Sequence, residues 1–513
     1  MSHPSVTEPA ASSKAEGAAG FAAPAVTSST SRANGLVLAL GVATAFTTLL
    51  DQAVFSFAVP SIQRSLDADA AQVQWLTSSY SLAFGLALVG AGRLGDLLGR
   101  RSLYMLGLVL FAVAGFAAAL ADDATTVIVA RLVQGFGAGI VNPQVLGLFQ
   151  DTFRGIMRSR ALSGYTTAGS AAGLIGPLGG GILLTVLTDD TGWRLVFLFA
   201  VPLAVVLVVA AVFVLPRPVA VPGGLRVAFR QVDAVGVVLL GAGTLAFLVS
   251  AASCGWLLAA LALALAGMAF FVAFALWERR AHAGGGPAVL HPELARSRGY
   301  LLGTAVATLT FGSALGLGLL TTLFLIDGLG YSPFVAALLL TPRALGMVAG
   351  SMLSWRLVRR FGRGGITWAL GLALLAVTAE VALVTGGSEP LIMLGVVGAG
   401  ALQGFFAGLF TPSNQSLTLN EAPVGVNGVA AGFYQLSQRL SAALALSIYA
   451  GIYLAVSATM PASFAFGAAA SITIAASLGA MLISAADGNR RHRPAAESAA
   501  ESAAESAEVT QES

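Results

Sequence analysis

The sequence predicts an all-α integral membrane protein with fourteen membrane-spanning helices, arranged as two six-helix halves with an inserted central helix pair. Three observations support this prediction. The chain of 513 residues is 57% hydrophobic and 10% charged, with a mean hydropathy of +0.84, whereas soluble domains carry about 25% charged residues. Apolar runs of about 20 residues, long enough to cross a bilayer, recur along the whole chain. Arginine is concentrated in every second loop between these runs.

The apolar runs predict the spans in chain order. They lie near 36–59, 73–92, 103–121, 125–149, 161–185, 195–215, 232–253, 256–276, 300–326, 333–355, 366–386, 390–411, 429–453 and 462–485. A tight hairpin around Cys254 and Gly255 joins the seventh run to the eighth. The two ends of the chain are rich in Ala, Ser and Pro or in an Ala-Ala-Glu-Ser repeat, so we expect disordered tails there.

The loop arginines predict the orientation. Alternate loops contain Arg93, Arg100, Arg101, Arg154, Arg158, Arg160, Arg217, Arg226, Arg230, Arg279, Arg280, Arg296, Arg298, Arg356, Arg359, Arg360 and Arg363. The opposite loops contain Arg64 and Arg194 beside the acids Asp67, Asp69, Asp122, Asp123, Asp189, Asp190, Asp327 and Glu389. The positive-inside rule therefore places both termini in the cytoplasm. Lysine occurs once, at Lys14, a bias typical of a GC-rich genome, and we expect a multi-pass protein of a bacterial plasma membrane.

An internal repeat divides the chain. The ten residues Gln134–Pro143 recur as Gln403–Pro412 with six identities, and the arginine-rich loop after the second span recurs at Arg356–Arg363. Two parallel halves that bracket a midplane cavity explain both repeats. The predicted organisation is a disordered cytoplasmic tail (1–34), an N-terminal six-helix half (35–216), an inserted two-helix hairpin with flanking cytoplasmic loops (217–299), a C-terminal six-helix half (300–486) and a second disordered cytoplasmic tail (487–513).

The turn Gly92–Arg101 packs four charges and three glycines between two spans. Glycines let helix ends approach closely, and one carboxylate among three guanidiniums favours a charge-assisted network. The turn resembles the signature loop of the major facilitator superfamily, G-x-L-a-D-r-x-G-r-k, at Gly92, Leu94, Asp96, Gly99, Arg100 and Arg101, although Leu97 replaces a basic residue. The resemblance implies a gating latch that holds the cytoplasmic side shut in the outward-facing state. The alternative is a topology signal only.

Three more motifs resemble the fourteen-helix drug:proton antiporter branch of that superfamily. Leu50–Pro60 resembles its first-helix pattern at Asp51, Ala58 and Pro60, with departures at Ala53 and Ser56. Arg131–Gly135 resembles its fourth-helix R-x-x-Q-G. The fifth-helix antiporter motif G-P-x-x-G-G is matched at Gly176, Pro177, Gly180 and Gly181, while Ala172 replaces an upstream glycine. The resemblance covers nearly the whole chain and implies export.

Charged residues inside the spans are costly and therefore candidates for function. Asp51 lies roughly 12 Å from the outer end of the first span and Arg131 roughly 9 Å from the outer end of the fourth, so the two can meet. We expect a proton-coupling site in which Arg131 tunes Asp51, with a purely structural ion pair as the alternative. Glu380, roughly 9 Å from the outer end of the eleventh span, is a second proton-coupling candidate. It could instead attract a cationic substrate, or pair with Arg343 or Arg439.

Polar and aromatic residues on inner faces are candidates for the substrate cavity, because mixed aromatic and amide groups suit bulky amphipathic ligands. The candidates are Gln52, Phe55, Trp75, Tyr80, Asn142, Gln144, Arg343, Phe405, Asn414, Tyr434, Gln435 and Arg439. Packing or an interfacial position is the alternative for each aromatic residue.

Together these features predict a proton-coupled secondary exporter, an antiporter of drugs, antibiotics or other amphipathic small molecules that works by alternating access as a monomer. Protonation of Asp51 from outside would release the cargo, with the reversed order left open. No phosphate-binding loop ending in Lys-Ser/Thr is present, so the proton gradient is the expected energy source. We expect no cofactor, metal or nucleic-acid partner, only substrate, protons and membrane lipids. The alternatives are a dedicated exporter of one endogenous metabolite, siderophore or lipid, and a non-transporting membrane receptor or scaffold. An enzyme is disfavoured.

Overall fold

The computed structural model describes residues 28–153, 155–187, 189–215, 233–252, 257–284, 289, 292–422 and 427–511, and these residues are almost entirely helical. The first eight helices are α1 (Ser28–Ser65), α2 (Ala70–Leu98), α3 (Arg100–Ala119), α4 (Ala124–Thr152), α5 (Gly155–Val186), α6 (Asp189–Val214), α7 (Ala234–Ala252) and α8 (Leu257–Ala283). The remaining helices are α9 (Pro292–Arg296), α10 (Arg298–Leu323), α11 (Pro333–Thr385), α12 (Glu389–Met393), α13 (Gly400–Asn420), α14 (Asn427–Ser457) and α15 (Ala462–Gln511). Short π-helical segments, Phe324–Gly328 and Leu394–Ala399, extend α10 and join α12 to α13.

Side-chain caps and glycines set the helix boundaries. Asp69 caps α2 in a reciprocal capping box with Gln72, and Asp123 caps α4 by accepting from the backbone N–H of Thr126. A hydrogen bond from the Thr126 hydroxyl, together with this backbone bond, holds the pKa of the Asp123 carboxyl below its usual value. Gly99 separates α2 from α3 at φ 90°, a conformation that favours glycine.

Twelve stretches in the described part of the chain are long and apolar enough to cross a membrane, so the predicted count of fourteen is not confirmed. Helix α11 supplies two of them, Pro333–Leu357 and Arg359–Thr385, which meet at the kink formed by Gly362 (φ 52°). Helix α2 is 29 residues long but is not among the twelve, and its side chains at 89, 93 and 96–98 lie outside the described residues. The apolar part of α7, Ala234–Ser250, is shorter than a full span.

The terminal helices extend into the segments predicted as tails. Helix α15 continues through 487–511 and α1 begins at Ser28, before residue 34. Alanine and glutamate in the C-terminal repeat have high helix propensity, which accounts for the continuation. Residues 1–27, 216–232 and 253–256, including Cys254 and its hairpin turn, lie outside the described residues.

The helices pack in two groups. In the first group α1 contacts α5 and α6, α2 contacts α4, and α3 contacts α4 and α6. In the second group α10 contacts α14 and α15, and α11 contacts α13 and α15. The two groups meet along two seams, α2 against α14 and α5 against α11.

The internal repeat is visible as a repeated close helix contact. A Cβ on Gly135 would overlap the backbone of Tyr80 in α2, and a Cβ on Gly404, its repeat counterpart, would overlap the backbone of Arg343 in α11. The repeated glycines therefore allow the same backbone-to-backbone packing of neighbouring helices in both groups, as is common between membrane helices.

Helices α7 and α8 form a hairpin at one seam. They pack on each other, and α7 also contacts α2 and α14. Leu240 and Leu248 of α7 join Leu82 of α2 and Leu440 of α14 in one apolar cluster. The hairpin therefore covers the α2–α14 seam.

The two groups are joined at the end of the molecule that carries Arg64, called here the Arg64 end. Arg64 bridges to Asp327 of the second group at 2.9 Å, and the backbone N–H of Phe334 in α11 donates to Thr185 of α5 at 3.0 Å. At the opposite end, called the Arg100 end, the ion pairs Arg100–Asp151 and Arg363–Glu421 each lie within one group.

Candidate functional site

A buried ion pair between α1 and α4 forms the centre of the candidate site. Arg131 donates to Asp51 Oδ2 at 2.8 Å, as the predicted depths of the two residues allow. Gln134, one helical turn after Arg131, donates to Asp51 Oδ1 at 2.9 Å and accepts a second bond from Arg131 at 2.8 Å. Both carboxylate oxygens are therefore bonded, and all three side chains are at most 3% exposed.

Gln134 is a site residue for which the sequence analysis assigned no role. The signal was present in the R-x-x-Q-G motif, because residues three apart lie on the same face of a helix. The amide can donate and accept at once, so it completes a closed three-residue network that neither charge could form alone.

Aromatic rings enclose the Arg131 guanidinium. Its central carbon lies 3.9 Å from the centroid of Phe55, 4.4 Å from that of Tyr80 and 5.9 Å from that of Phe197. Cation–π contacts of this kind contribute most where water is excluded. The rings and Asp51 together compensate for burying the guanidinium, although its Nε has no hydrogen-bond partner among the described residues.

A cavity of about 340 Å³ lies beside this network, between the two groups of helices. Its wall is formed by Leu49, Gln52, Ala53, Phe55, Ser56, Val59, Thr77, Tyr80, Ser81, Arg131, Gly169, Gly173, Phe311, Ala314, Leu315, Gly318, Leu319, Arg439 and Leu446. The volume is within the range of sites for drug-sized ligands, and the wall is mostly apolar with a few polar groups.

Arg439 of α14 brings a second guanidinium to this cavity. It donates to Gln52 Oε1 of α1 at 2.9 Å, so this hydrogen bond joins the two groups of helices. Its guanidinium carbon lies 4.2 Å from the centroid of Phe84 and 5.6 Å from that of Phe311.

Glu380 lies in a second buried pair, away from the cavity. It is 0% exposed and accepts a hydrogen bond from Arg343. Of the two arginines that the sequence left open as its partner, Arg343 is therefore the one it contacts. Glu380 and Arg343 both belong to α11, one on each side of the Gly362 kink, so the pair braces the two arms of that helix. Glu380 Oε2 and Arg343 Nε have no hydrogen-bond partner among the described residues.

The structure gathers four of the predicted cavity residues at the cavity: Gln52, Phe55, Tyr80 and Arg439. The others lie outside its wall: Trp75, Asn142, Gln144, Arg343, Phe405, Asn414, Tyr434 and Gln435. Several of these make internal bonds instead. Gln144 donates to the carbonyl of Ala91, and Asn414 donates to that of Gly303. The sequence analysis missed the α5 and α10 residues of the wall, because glycine, alanine and leucine carry no signal that separates a cavity face from a packing face.

Comparison with known proteins identifies the family. The family model described as Major Facilitator Superfamily matches residues 41–231 and 224–446. The chain belongs to the major facilitator superfamily. It is therefore a transporter rather than an enzyme.

Curated relatives of the transporter carry names of exporters. It is 34% identical over 66% of its length to a "Probable actinorhodin transporter" of Streptomyces coelicolor, and 31% identical over 62% of its length to the "Tetracenomycin C resistance and export protein" of Streptomyces glaucescens. These alignments span 58% and 57% of the relatives' own lengths. It is 29% identical over 82% of its length to the "Cephamycin export protein CmcT" of Amycolatopsis lactamdurans, covering 85% of that protein.

Solved structures share the fold at low sequence identity. The POT family transporter PepTSo matches with a TM-score of 0.62 and 16% identity over 89% of this chain and 98% of that one. A partially occluded inward open structure of the xylose transporter XylE from E. coli matches with a TM-score of 0.56 and 13% identity, covering 87% and 98% of the two chains. These likenesses establish the fold alone.

The signature loop of the transporter connects three helices of the first group. Arg100 bonds to Asp151 at 2.7 Å, and Arg101 donates to the carbonyls of Val212 and Leu215 at the end of α6. A Cβ on Gly95 would overlap the side chain of Gln144, so the glycine leaves room for that amide between α2 and α4. The described contacts of the loop thus tie α3 to α4 and α6. The side chain of Asp96 lies outside the described residues, and the latch stays a prediction.

The fifth-helix motif places glycines against two neighbours. A Cβ on Gly176 would lie 2.9 Å from Ala53 Cβ, and one on Gly180 would lie 2.5 Å from Val54 Cγ1, both on α1. A Cβ on Gly181 would lie 2.9 Å from Phe334 Cα on α11. Pro177 lies between them inside α5. The motif therefore packs α5 on its own group and on the second group at the Arg64 end.

Proposed function

We propose that this transporter is a proton-coupled exporter, an antiporter of amphipathic small molecules that works by alternating access. The observation that carries the proposal is the buried Asp51–Arg131 pair at the edge of a drug-sized cavity between the two groups of helices. Relatives named as antibiotic exporters and resistance proteins support the direction of transport.

The membrane arrangement follows from the loop charges and helix lengths. We propose fourteen spans, the twelve apolar stretches together with α2 and α7, because α2 lies between α4 and α14 and α7 lies against both α2 and α14. The arginine-rich Arg100 end then faces the cytoplasm with both termini, in the plasma membrane of a bacterium. We propose that the two packing groups are the halves 35–216 and 300–486 and that the hairpin is part of the insert 217–299.

In this orientation the described conformation is closed at the outer, Arg64 end. Opening it requires loss of the partly exposed Arg64–Asp327 pair, which contributes about 0–1 kcal/mol, and of the α5–α11 contact at Gly181. The ion pair is a weak contact, as an alternating-access cycle needs. The two halves would then rock about the cavity, with the loop of Gly92, Asp96, Gly99, Arg100 and Arg101 latching the inner end in the other state.

The Asp51 network can act as a proton switch. An ionised carboxylate accepts hydrogen bonds from both Arg131 and Gln134, whereas a protonated one is neutral and leaves the guanidinium without a counter-charge. One proton therefore changes the net charge beside the cavity by one unit. Glu380 with Arg343 is a second proton-coupling candidate, at a greater distance from the cargo because neither residue lines the cavity.

The experiment uses proteoliposomes that contain a pH-sensitive dye. A panel of lipophilic cations, neutral antibiotics and acidic aromatic compounds is added, and proton movement is recorded. We expect at least one member to trigger proton flux that Asp51→Asn abolishes and the control Asp122→Asn, at a side chain that is 94% exposed, preserves. Full coupled transport by folded Asp51→Asn would refute Asp51 as the proton site.

A second candidate function is export of one endogenous product, which the product-specific names of several relatives favour. This function predicts that one member of the panel at most drives proton flux. If no member does, the cell's own product should drive it. A receptor or scaffold predicts binding without any proton movement across the whole panel.

A further inference from the structure

The charges on the cavity wall are of one sign. Among the described residues that line it, two carry a formal charge, Arg131 and Arg439, and both are cationic. Asp51 neutralises Arg131 through their ion pair. The guanidinium of Arg439 is therefore the uncompensated charge of the cavity.

Arg439 has hydrogen-bonding capacity to spare. One of its N–H groups donates to Gln52, and within the described part of the chain it makes no ion pair. A guanidinium has five N–H donors in a planar fork that matches a carboxylate or sulfonate. The N–H groups that do not bond Gln52 are not sealed inside the protein, since no Arg439 nitrogen is both buried and without a partner. Because Arg439 lines the cavity, these donors open to it.

The groups around Arg439 fit an aromatic ligand rather than a competing acid. Its guanidinium lies against the rings of Phe84 and Phe311, and Phe55 and Tyr80 form part of the same wall. The described titratable groups that interact electrostatically with Arg439 are the phenols of Tyr80 and Tyr165. A cationic ligand would meet the positive charge of Arg439 with no described carboxylate on the wall to offset it.

From this arrangement we infer that the cargo is an aromatic molecule with an acidic group, bound through that group by Arg439. The inference rests on the proposed function and assigns its substrate class. It differs from the expectation that Glu380 attracts a cationic substrate, because Glu380 pairs with Arg343 and does not line the cavity.

Three probes of one ring size test the charge preference: anthracene-2-sulfonate, anthracene-2-sulfonamide and anthracen-2-yl-trimethylammonium. Binding to the full-length transporter in nanodiscs is measured from probe fluorescence anisotropy. We expect wild type to bind the sulfonate at least about tenfold more tightly than the ammonium probe, since a charge-assisted hydrogen bond contributes this much or more. Arg439→Gln should remove that preference and should weaken sulfonate binding far more than sulfonamide binding, because the sulfonamide oxygens carry no formal charge. Arg359→Gln, which removes an exposed guanidinium outside the cavity, should leave all three affinities unchanged.

The outcomes separate this inference from the proposed function. Tighter binding of the ammonium probe, a sulfonate preference that survives Arg439→Gln, or failure of all three probes to bind folded wild type would each overturn the inference. Proton flux driven by a cation in the liposome assay would overturn it while leaving the exporter intact. Arg439→Lys, which keeps the charge and loses the fork, should retain part of the sulfonate preference and so shows that the loss in Arg439→Gln is not a folding defect.

Discussion

Removing Arg131 alone should destabilise the transporter far more than removing Arg131 and Asp51 together. In Arg131→Met the buried carboxylate of Asp51 loses its counter-charge. It still accepts a hydrogen bond from the Gln134 amide. Breaking a buried ion pair in this way costs about 3–5 kcal/mol, whereas replacing both partners by neutral groups is often neutral or stabilising. In the double variant Asp51→Asn with Arg131→Met, the new amide can still bond Gln134, so we expect most of the lost stability to return.

The measurement is the free energy of unfolding from SDS titration of the protein in bicelles, for wild type, both single variants and the double variant. Proton-coupled transport is measured on the same four proteins. A structural ion pair predicts that the double variant regains both stability and transport, whereas a proton site predicts that it regains stability alone. Equal destabilisation of Arg131→Met and the double variant would refute the buried-charge reasoning.

Two further predictions concern packing and closure. Gly180→Val should lower the free energy of unfolding by about 1–3 kcal/mol relative to Gly179→Val, because a Cβ at Gly180 would lie 2.5 Å from Val54 Cγ1 and one at Gly179 has no neighbour within 4 Å. Thermal unfolding of both variants checks this, and equal losses would contradict it. Arg64→Ala should shift the population towards the state open at the Arg64 end by at most about fivefold, since an exposed pair contributes about 0–1 kcal/mol. Electron-spin distances between labels on the loops at 66 and 329, in a Cys254→Ser background with Arg279→Ala as control, measure the shift. A population that does not change would show that the bridge makes no contribution to closure.

The sequence predicted the helices and the central ion pair because both depend on position along a helix axis. Hydropathy locates where a span begins and ends, and residue rise locates depth, so Asp51 and Arg131 could be matched without a structure. The run predicted at 73–92 lies within α2, Ala70–Leu98, so the position of that helix along the chain was predicted as well.

The rotation of each helix about its own axis could not be predicted from the sequence. Which face of α10 or α14 meets the cavity depends on packing between largely apolar helices, and hydropathy does not distinguish those faces. Asn414 and Gln144 have the chemistry of cavity residues, yet their amides bond to backbone carbonyls of neighbouring helices. Glu380 could reach either of two arginines by depth, and only the fold of α11 selects Arg343.

The cargo's charge also bears on how protons could drive its release. Gln52 follows Asp51 directly on α1 and accepts a hydrogen bond from Arg439. Helix α1 therefore links the proton switch at Asp51 to Arg439, the residue proposed to bind the cargo. Protonation of Asp51 leaves Arg131 uncompensated, which expels a cation but holds an acid more firmly. For an acidic cargo, release therefore cannot come from charge competition. It must come from the conformational step, because the Gln52–Arg439 contact joins the two groups of helices and separates when they rock apart. The membrane potential then assists, since an inward proton and an outward anion each gain about 2.3 kcal/mol per 100 mV.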